Sequence, residues 1–271
     1  MPRGMTSPLR AETPAPHVRL LTLDRPDRLN AMTSELCSAL HAELDAIAAD
    51  RSVRAVIVTG EGRGFCAGLD LAGYGDAPGA DGTDAARDRL ANQQYMSSLI
   101  LKLRATPQPV IAAVNGPAAG FGLALALGAD VRYAAEAAVF RAAFLNIGVS
   151  NCDMGVSWLL PRLVGASRAF ELLLTARRVT AEEAERIGLV AAVVPDNALM
   201  ERALEGATEI AAWAPWGVRL TKQGMWSALE IPGEQAAVEY EDRQQIMATH
   251  GIAPPEAISA FLAKREASFA D

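Results

Sequence analysis

The chain has little material for metal or thiol chemistry: three histidines and three cysteines in 271 residues. Cys37, Cys66 and Cys152 make an odd set without metal-ligand spacing, which fits free thiols in a reducing compartment, and the cytoplasm is the expected location. His17, His41 and His250 lie outside every motif found below, so a histidine-based triad is not expected. Basic charge is also short, with 25 Lys and Arg against 32 Asp and Glu and a net charge of −7. That balance argues against nucleic acid or an anionic membrane surface as a partner, since either needs a concentrated basic face. No run of eighteen apolar residues is free of charges or turn signals, so no transmembrane helix is indicated. The first sixteen residues hold no apolar core of signal-peptide length and read as a flexible terminus. No G-x-x-x-x-G-K-[ST] occurs, which excludes a P-loop.

What remains is ample core material, with 51% hydrophobic residues, and a pattern of alternating strands and helices. Val18–Leu23 and Val53–Thr59 read as strands. Thr33 is placed to cap a helix that carries Leu36, Leu40, Leu44 and Ile47 on one face. Ala72–Thr83, with its glycines, aspartates and a proline, reads as a surface loop. Thr180 and Glu183 form a capping box before a short helix over 181–187, and Leu189–Val194 reads as a further strand. Beyond Asn197 helices dominate, around Leu199–Trp213, Glu234–Met247 and Glu256–Phe269.

Two segments carry chemistry. Pro109–Asp130 (PVIAAVNGPAAGFGLALALGAD) reads as a buried strand, a turn and a helix start. There Gly120 and Gly122 let the backbone approach a ligand closely. A helix start offers unpaired N–H donors and the positive end of the helix dipole, which suits an oxyanion. The second segment follows the strand Val53–Thr59 into Gly60-Glu61-Gly62-Arg63-Gly64 and then Phe65-Cys66-Ala67-Gly68-Leu69-Asp70-Leu71. A dinucleotide loop fails on spacing, because Phe65 holds the third glycine position of G-x-G-x-x-G.

FCAGLDL and VNGPAAGFGLALALGAD, together with LDRPDRLNA near the start, LLPRLVG and ELLLTARRVTAEEAERIGLV, resemble the enoyl-CoA hydratase/isomerase, or crotonase, superfamily over most of the chain. The resemblance implies an α/β fold, a spiral of repeated β-β-α units with a C-terminal helical region. It divides the chain into a flexible 1–16, a spiral core over 17–196 and a helical trimerisation region over 197–271. It implies an acyl- or enoyl-CoA thioester as substrate, no permanently bound cofactor, and a homotrimer or hexamer.

The same resemblance puts two oxyanion donors at the backbone N–H groups of Ala67 and Phe121, the latter where the family usually has glycine. Substrate-binding positions fall on Gly68, Leu69, Asp70, Gly120, Phe144 and Trp158. Arg28 is implied near the CoA phosphates, and Phe261 and Lys264 near its adenine and ribose phosphate. The family's two hydratase glutamates are held here by Ala124 and Phe144, neither of which moves a proton. Asp153, nine residues before Arg162, resembles the active aspartate of the dienoyl-CoA isomerase and chlorobenzoyl-CoA dehalogenase branches, with one extra residue between Gly148 and Arg162.

Asp153 has two readings, an acid or base beside the thioester and the N-cap of a helix over 155–163. Three functions follow. The first is isomerase-type or hydratase-type proton transfer. The second is a hydrolase or dehalogenase with Asp153 as nucleophile. The third is a non-catalytic acyl-CoA binder.

Overall fold

The computed structural model describes residues 7–73, 76, 78, 84–250 and 253–269. Most of the loop expected over Ala72–Thr83 lies outside the described residues.

The chain begins with an antiparallel pair, β1 (Leu9–Ala15) and β2 (Val18–Leu23), followed by α1 (Ser34–Ala49) and β3 (Ala55–Gly60). After α2 (Ala85–Ala105) come β4 (Val110–Val114), β5 (Pro117–Ala119), α3 (Phe121–Gly128), β6 (Val131–Ala135) and β7 (Val139–Arg141). Helices α4 (Val156–Val164) and α5 (Ala166–Thr175) lead to β8 (Val179–Thr180), α6 (Ala181–Arg186) and β9 (Ala192–Val194). Four helices finish the chain: α7 (Leu199–Ala211), α8 (Pro215–Ala228), α9 (Glu234–Thr249) and α10 (Ala253–Leu262).

A six-stranded sheet runs β1-β2-β3-β4-β6-β9 and a three-stranded one β5-β7-β8. From β2 to β9 every pairing in the large sheet is parallel. The two sheets grow together. The chain lays β4 in the large sheet and then β5 in the small one, passes through α3, and repeats the move with β6 and β7. Cys66, after β3, forms a parallel bridge to Ala118 of β5 and so begins the same series. These turns are the expected β-β-α spiral.

Both faces of the large sheet are covered, which is why its strands read as continuous apolar runs rather than alternating ones. Val56 and Val58 of β3 join the main core with Leu36, Leu40, Leu99, Leu103 and the whole of α3. Ala55 and Ile57, on the opposite face, pack with Leu199, Ala203 and Ala207 of α7. The C-terminal region is therefore not separate from the spiral, because α7 closes one side of the sheet.

Two sequence expectations change. The terminus expected to be flexible over 1–16 is strand β1 from Leu9 onward, registered residue by residue against β2. It lies at the sheet edge with most of its side chains exposed, so its sequence carries no apolar alternation. Helix α8 falls in a stretch that the helical pattern skipped. Gly217 and Gly224 lie inside it, and both disfavour a helix.

Candidate active site

Close backbone contact joins the two signature segments. Cys66 N–H donates to the Pro117 carbonyl at 3.1 Å, and Ala119 N–H donates to the Cys66 carbonyl at 3.0 Å. A Cβ at Gly122 would stand 1.9 Å from the Cys66 carbonyl oxygen. Only glycine lets α3 start against this loop. Gly68, at φ +112°, is the mirror case: its Cβ would lie 3.2 Å from the Ala119 oxygen and 3.9 Å from the Phe121 nitrogen. The FCAGLDL loop and the first turn of α3 thus face one another across the width of a backbone.

Which amides are free corrects one expectation. Ala67 N–H donates to the Leu29 carbonyl at 3.0 Å, so it is committed to the fold and does not face a ligand. Met32 N–H donates to the Gly68 carbonyl at 2.7 Å, and Asp70 N–H donates to the Met32 carbonyl at 2.9 Å. In extended backbone successive amides point to opposite sides. The Leu69 N–H therefore points away from Met32, and it meets no acceptor among the described residues. Phe121 N–H, first in α3, meets none either. Its ring is fully buried in the main core. Gly120 N–H is spent on the Arg141 carbonyl at 3.0 Å.

The segment behind this loop is tied down by side-chain hydrogen bonds. Arg25 donates to Asp70 Oδ2 at 2.8 Å and also to the Ala31 carbonyl. Its guanidinium holds the Asp70 carboxyl below the usual carboxylate range. Asn30 bridges to the Gly64 and Glu61 carbonyls at 2.7 and 3.0 Å. The Cys66 thiol is fully buried, and desolvation pushes it up to about 12, so it is not a nucleophile.

Phe144 is buried, and its ring edge lies against Gly120, 3.7 Å from where a Cβ would sit. Ala124 is fully buried one turn into α3. Asp153 is half-buried on the turn before α4, and burial raises its carboxyl above the usual range, against two opposing hydrogen bonds. Its Oδ1 accepts from Met154 N–H at 2.7 Å and from Gln93 Nε2 of α2 at 2.5 Å. The helix-cap reading does not hold: Gly155 is the N-cap of α4, and no side chain caps it.

Asp153 lines a cavity of about 700 Å³ together with Gln93, Ser97, Arg104, Trp158, Arg162 and Glu230. The Leu69 and Phe121 amides are not among its walls. Trp158 does not present a bare ring there. Arg162 stacks over it at 3.8 Å and Arg104 at 4.7 Å, while Arg104 also stacks on Trp226 at 4.2 Å. Such contacts contribute about 0.5–2 kcal/mol each and fix the wall's shape. Gln93 and Leu69 are the participants that sequence reasoning missed or gave another role. Gln93 sits in a polar helix without any motif, and only its approach to Asp153 singles it out.

Of the three positions implied for CoA, Lys264 N–H donates to the Phe261 carbonyl at 3.2 Å, and no described contact joins Arg28 to either. Arg28 is exposed in a 3-10 turn, Phe261 is 83% exposed on α10, and Lys264 is exposed just beyond it. Among the described residues no group of three His, Cys, Asp or Glu side chains is placed to hold a metal ion. None of the described helices is long and apolar enough to cross a membrane.

Comparison with known proteins agrees with this architecture. A probable enoyl-CoA hydratase of Mycobacterium tuberculosis is 41% identical over 270 residues, covering 99% of this chain and 95% of the relative. A 1,2-epoxyphenylacetyl-CoA isomerase of Escherichia coli is 38% identical over 253 residues, covering 93% and 94%. The crystal structure of a probable enoyl-CoA hydratase/isomerase from Mycobacterium abscessus superposes with a TM-score of 0.91 at 38% identity, covering 97% and 98%. Residues 15–271 match the family described as Enoyl-CoA hydratase/isomerase. With a matching spiral and a shared sequence over nearly its whole length, this chain is an enzyme of the enoyl-CoA hydratase/isomerase family.

Proposed function

We propose that the enzyme moves protons on carbon conjugated with a CoA thioester, and that double-bond isomerisation rather than hydration is its main reaction. One observation carries this reading. Two unspent amides, Leu69 and Phe121, stand at adjoining backbones, while both glutamate positions that would handle water hold Ala124 and Phe144.

In this mechanism the thioester oxygen accepts from the Leu69 and Phe121 N–H groups. Asp153, whose cavity does not include those amides, takes a proton from a carbon of the acyl chain reaching toward it, and the electron pair of that C–H bond passes through the conjugated system into an enolate whose negative charge rests on the held oxygen. Fixed donors stabilise that charge without reorganising, each contributing about 2.7–4 kcal/mol. The carboxylic acid then returns the proton to a different carbon, the double bond moves, and Asp153 regains its charge. One group serves both halves because a base that has taken a proton is an acid. Burial suits it to the task by bringing its acid form closer to working pH. The relative named as an isomerase acts on an epoxide-bearing CoA thioester, so it supports isomerisation on a CoA thioester and not the double-bond shift itself.

For the rest of the substrate we assign Arg28 to the CoA phosphates, with Phe261 and Lys264 near the adenine. Arginine and lysine suit phosphate as a fork and a point charge. We also propose a homotrimer or a larger assembly of trimers. The exposed Val238, Ile246, Met247, Ile258 and Leu262 of α9 and α10 supply apolar surface for it.

The test is incubation with a panel of acyl- and enoyl-CoA thioesters in deuterated water, read by mass spectrometry. Deuterium gained beside the thioester, with a shifted double bond and no added water, is the expected result. Binding without exchange in any member would overturn the proposal and leave an acyl-CoA binder.

A further inference from the structure

Asp153 and Gln93 are sixty residues apart in sequence and come from different walls of one cavity. Gln93 Nε2 donates to Asp153 Oδ1 at 2.5 Å, and Met154 N–H donates to the same oxygen at 2.7 Å. Oδ2 accepts from no described residue. The carboxylate is thus held at one oxygen by a backbone donor and a side-chain donor, which fixes its plane and leaves the other oxygen open to a reacting carbon. Resting on the reading of Asp153 as acid and base, we propose that Gln93 is its positioning residue, selecting the rotamer and the oxygen that does the proton work.

A glutamine amide suits this role because it donates without bringing charge. An arginine there would hold the carboxylate too firmly ionised to return a proton as an acid, and a glutamate would repel it. The charged groups lining the same cavity are Arg104 of α2, Arg162 of α4 and Glu230 beyond α8, beside the exposed Cys152 thiol. Both arginines are engaged elsewhere. Arg104 pairs with Glu230 at 3.1 Å and lies between Trp158 and Trp226, and Arg162 donates to the Trp158 carbonyl at 2.9 Å. None of these groups hydrogen-bonds Asp153, so the Gln93 amide is the side-chain donor that tunes it.

Because this hydrogen bond lowers the carboxyl's pKa against the upward pull of burial, removing it moves the pKa higher. Gln93→Met keeps the length and deletes the donor, and Gln93→Glu adds like charge. In the full-length enzyme, carbon-13 carboxyl titration, with the Asp153 resonance assigned through Asp153→Asn, measures the group directly. Deuterium exchange with the best thioester of the panel is followed across pH in parallel. We expect both variants to titrate Asp153 at higher pH and to move the acidic limb of exchange the same way. We also expect kcat to fall about tenfold or more with KM nearly unchanged, the pattern of a misplaced group rather than lost binding. Gln93→Asn, which keeps an amide, should recover part of the rate. If Asp153 titrates unchanged in Gln93→Met and Gln93→Glu, the positioning role is refuted whatever the rates do. If the titration moves but Asp153→Asn exchanges like the parent, the catalytic reading itself is refuted, and this inference with it.

Discussion

The Gly122 Cα and the Cys66 carbonyl oxygen meet so closely that a methyl group on the former would lie 1.9 Å from the latter. This contact decides where α3 begins relative to the FCAGLDL loop, and with it the separation of the Leu69 and Phe121 amides. Gly122→Ala must push the two segments apart. Overpacking of this kind costs about 1–3 kcal/mol or more. Losing one aligned oxyanion donor lowers turnover about 10²- to 10³-fold. Urea denaturation and the exchange assay check the two effects separately, and a variant with native stability and native exchange would refute the assignment of the amides.

Asp153→Asn should trade activity for stability. Loss of the acid and base is expected to lower exchange about 10²- to 10⁴-fold. Stability moves the other way. Burial raises the carboxyl in the folded state above its unfolded value, so its ionisation costs stability, a loss that starts as pH rises past the unfolded value and is complete above the folded one. The asparagine variant should therefore melt higher than the parent at pH 7. The difference should shrink as pH falls through the raised folded value and vanish below the ordinary aspartate value of about 3.9. Calorimetry across pH measures it, and equal melting temperatures at pH 7 would count against a strained carboxylate.

A buried ion pair fastens α8. Lys222 donates to Asp130 Oδ2 at 2.8 Å and to the Gln108 carbonyl at 3.0 Å, and Asp130 also accepts from Trp226 Nε1 and Val110 N–H at 2.7 Å each. Asp130→Ala strips the buried Lys222 ammonium of its counter-charge and leaves two donors unpaired. A loss of about 3–5 kcal/mol follows, read as a lower denaturation midpoint at unchanged slope. Lys222→Met paired with Asp130→Leu should recover only part of it: the apolar pair avoids burying an unpaired ammonium, but Trp226 Nε1 and Val110 N–H remain without their acceptor.

Arg25→Ala is expected to act on turnover from outside the site. Arg25 clamps Asp70, the residue after the Leu69 amide. A displacement of that amide by about 1 Å can lower turnover up to roughly 10²-fold with little change in substrate affinity. Comparison of kcat with KM for the exchanging thioester tests it, and a change confined to KM would speak against the role.

Local chemistry made much of this legible in advance. Thr33 accepts from Leu36 N–H at the start of α1, and Thr180 from Glu183 N–H at the start of α6, as the cap residues imply. Even there the match is partial, because Glu183 turns to Arg177 instead of completing the capping box. The small sheet and α8 were not legible. Strands of two or three residues carry no period, and α8 holds to the fold through Lys222 and Trp226, whose partner Asp130 lies about ninety residues away.

The sequence by itself determined the family, the spiral's apolar strands and the glycine that admits α3. These are matters of residue type and local spacing. Only the tertiary structure decided which amides are free. Ala67 and Leu69 are two residues apart with equivalent N–H groups, and nothing in their side chains distinguishes them. The difference arises because Leu29 brings a carbonyl to Ala67 and Met32 engages the residues on either side of Leu69. The same holds for Gln93, which gains a partner only when α2 is laid beside the turn that carries Asp153.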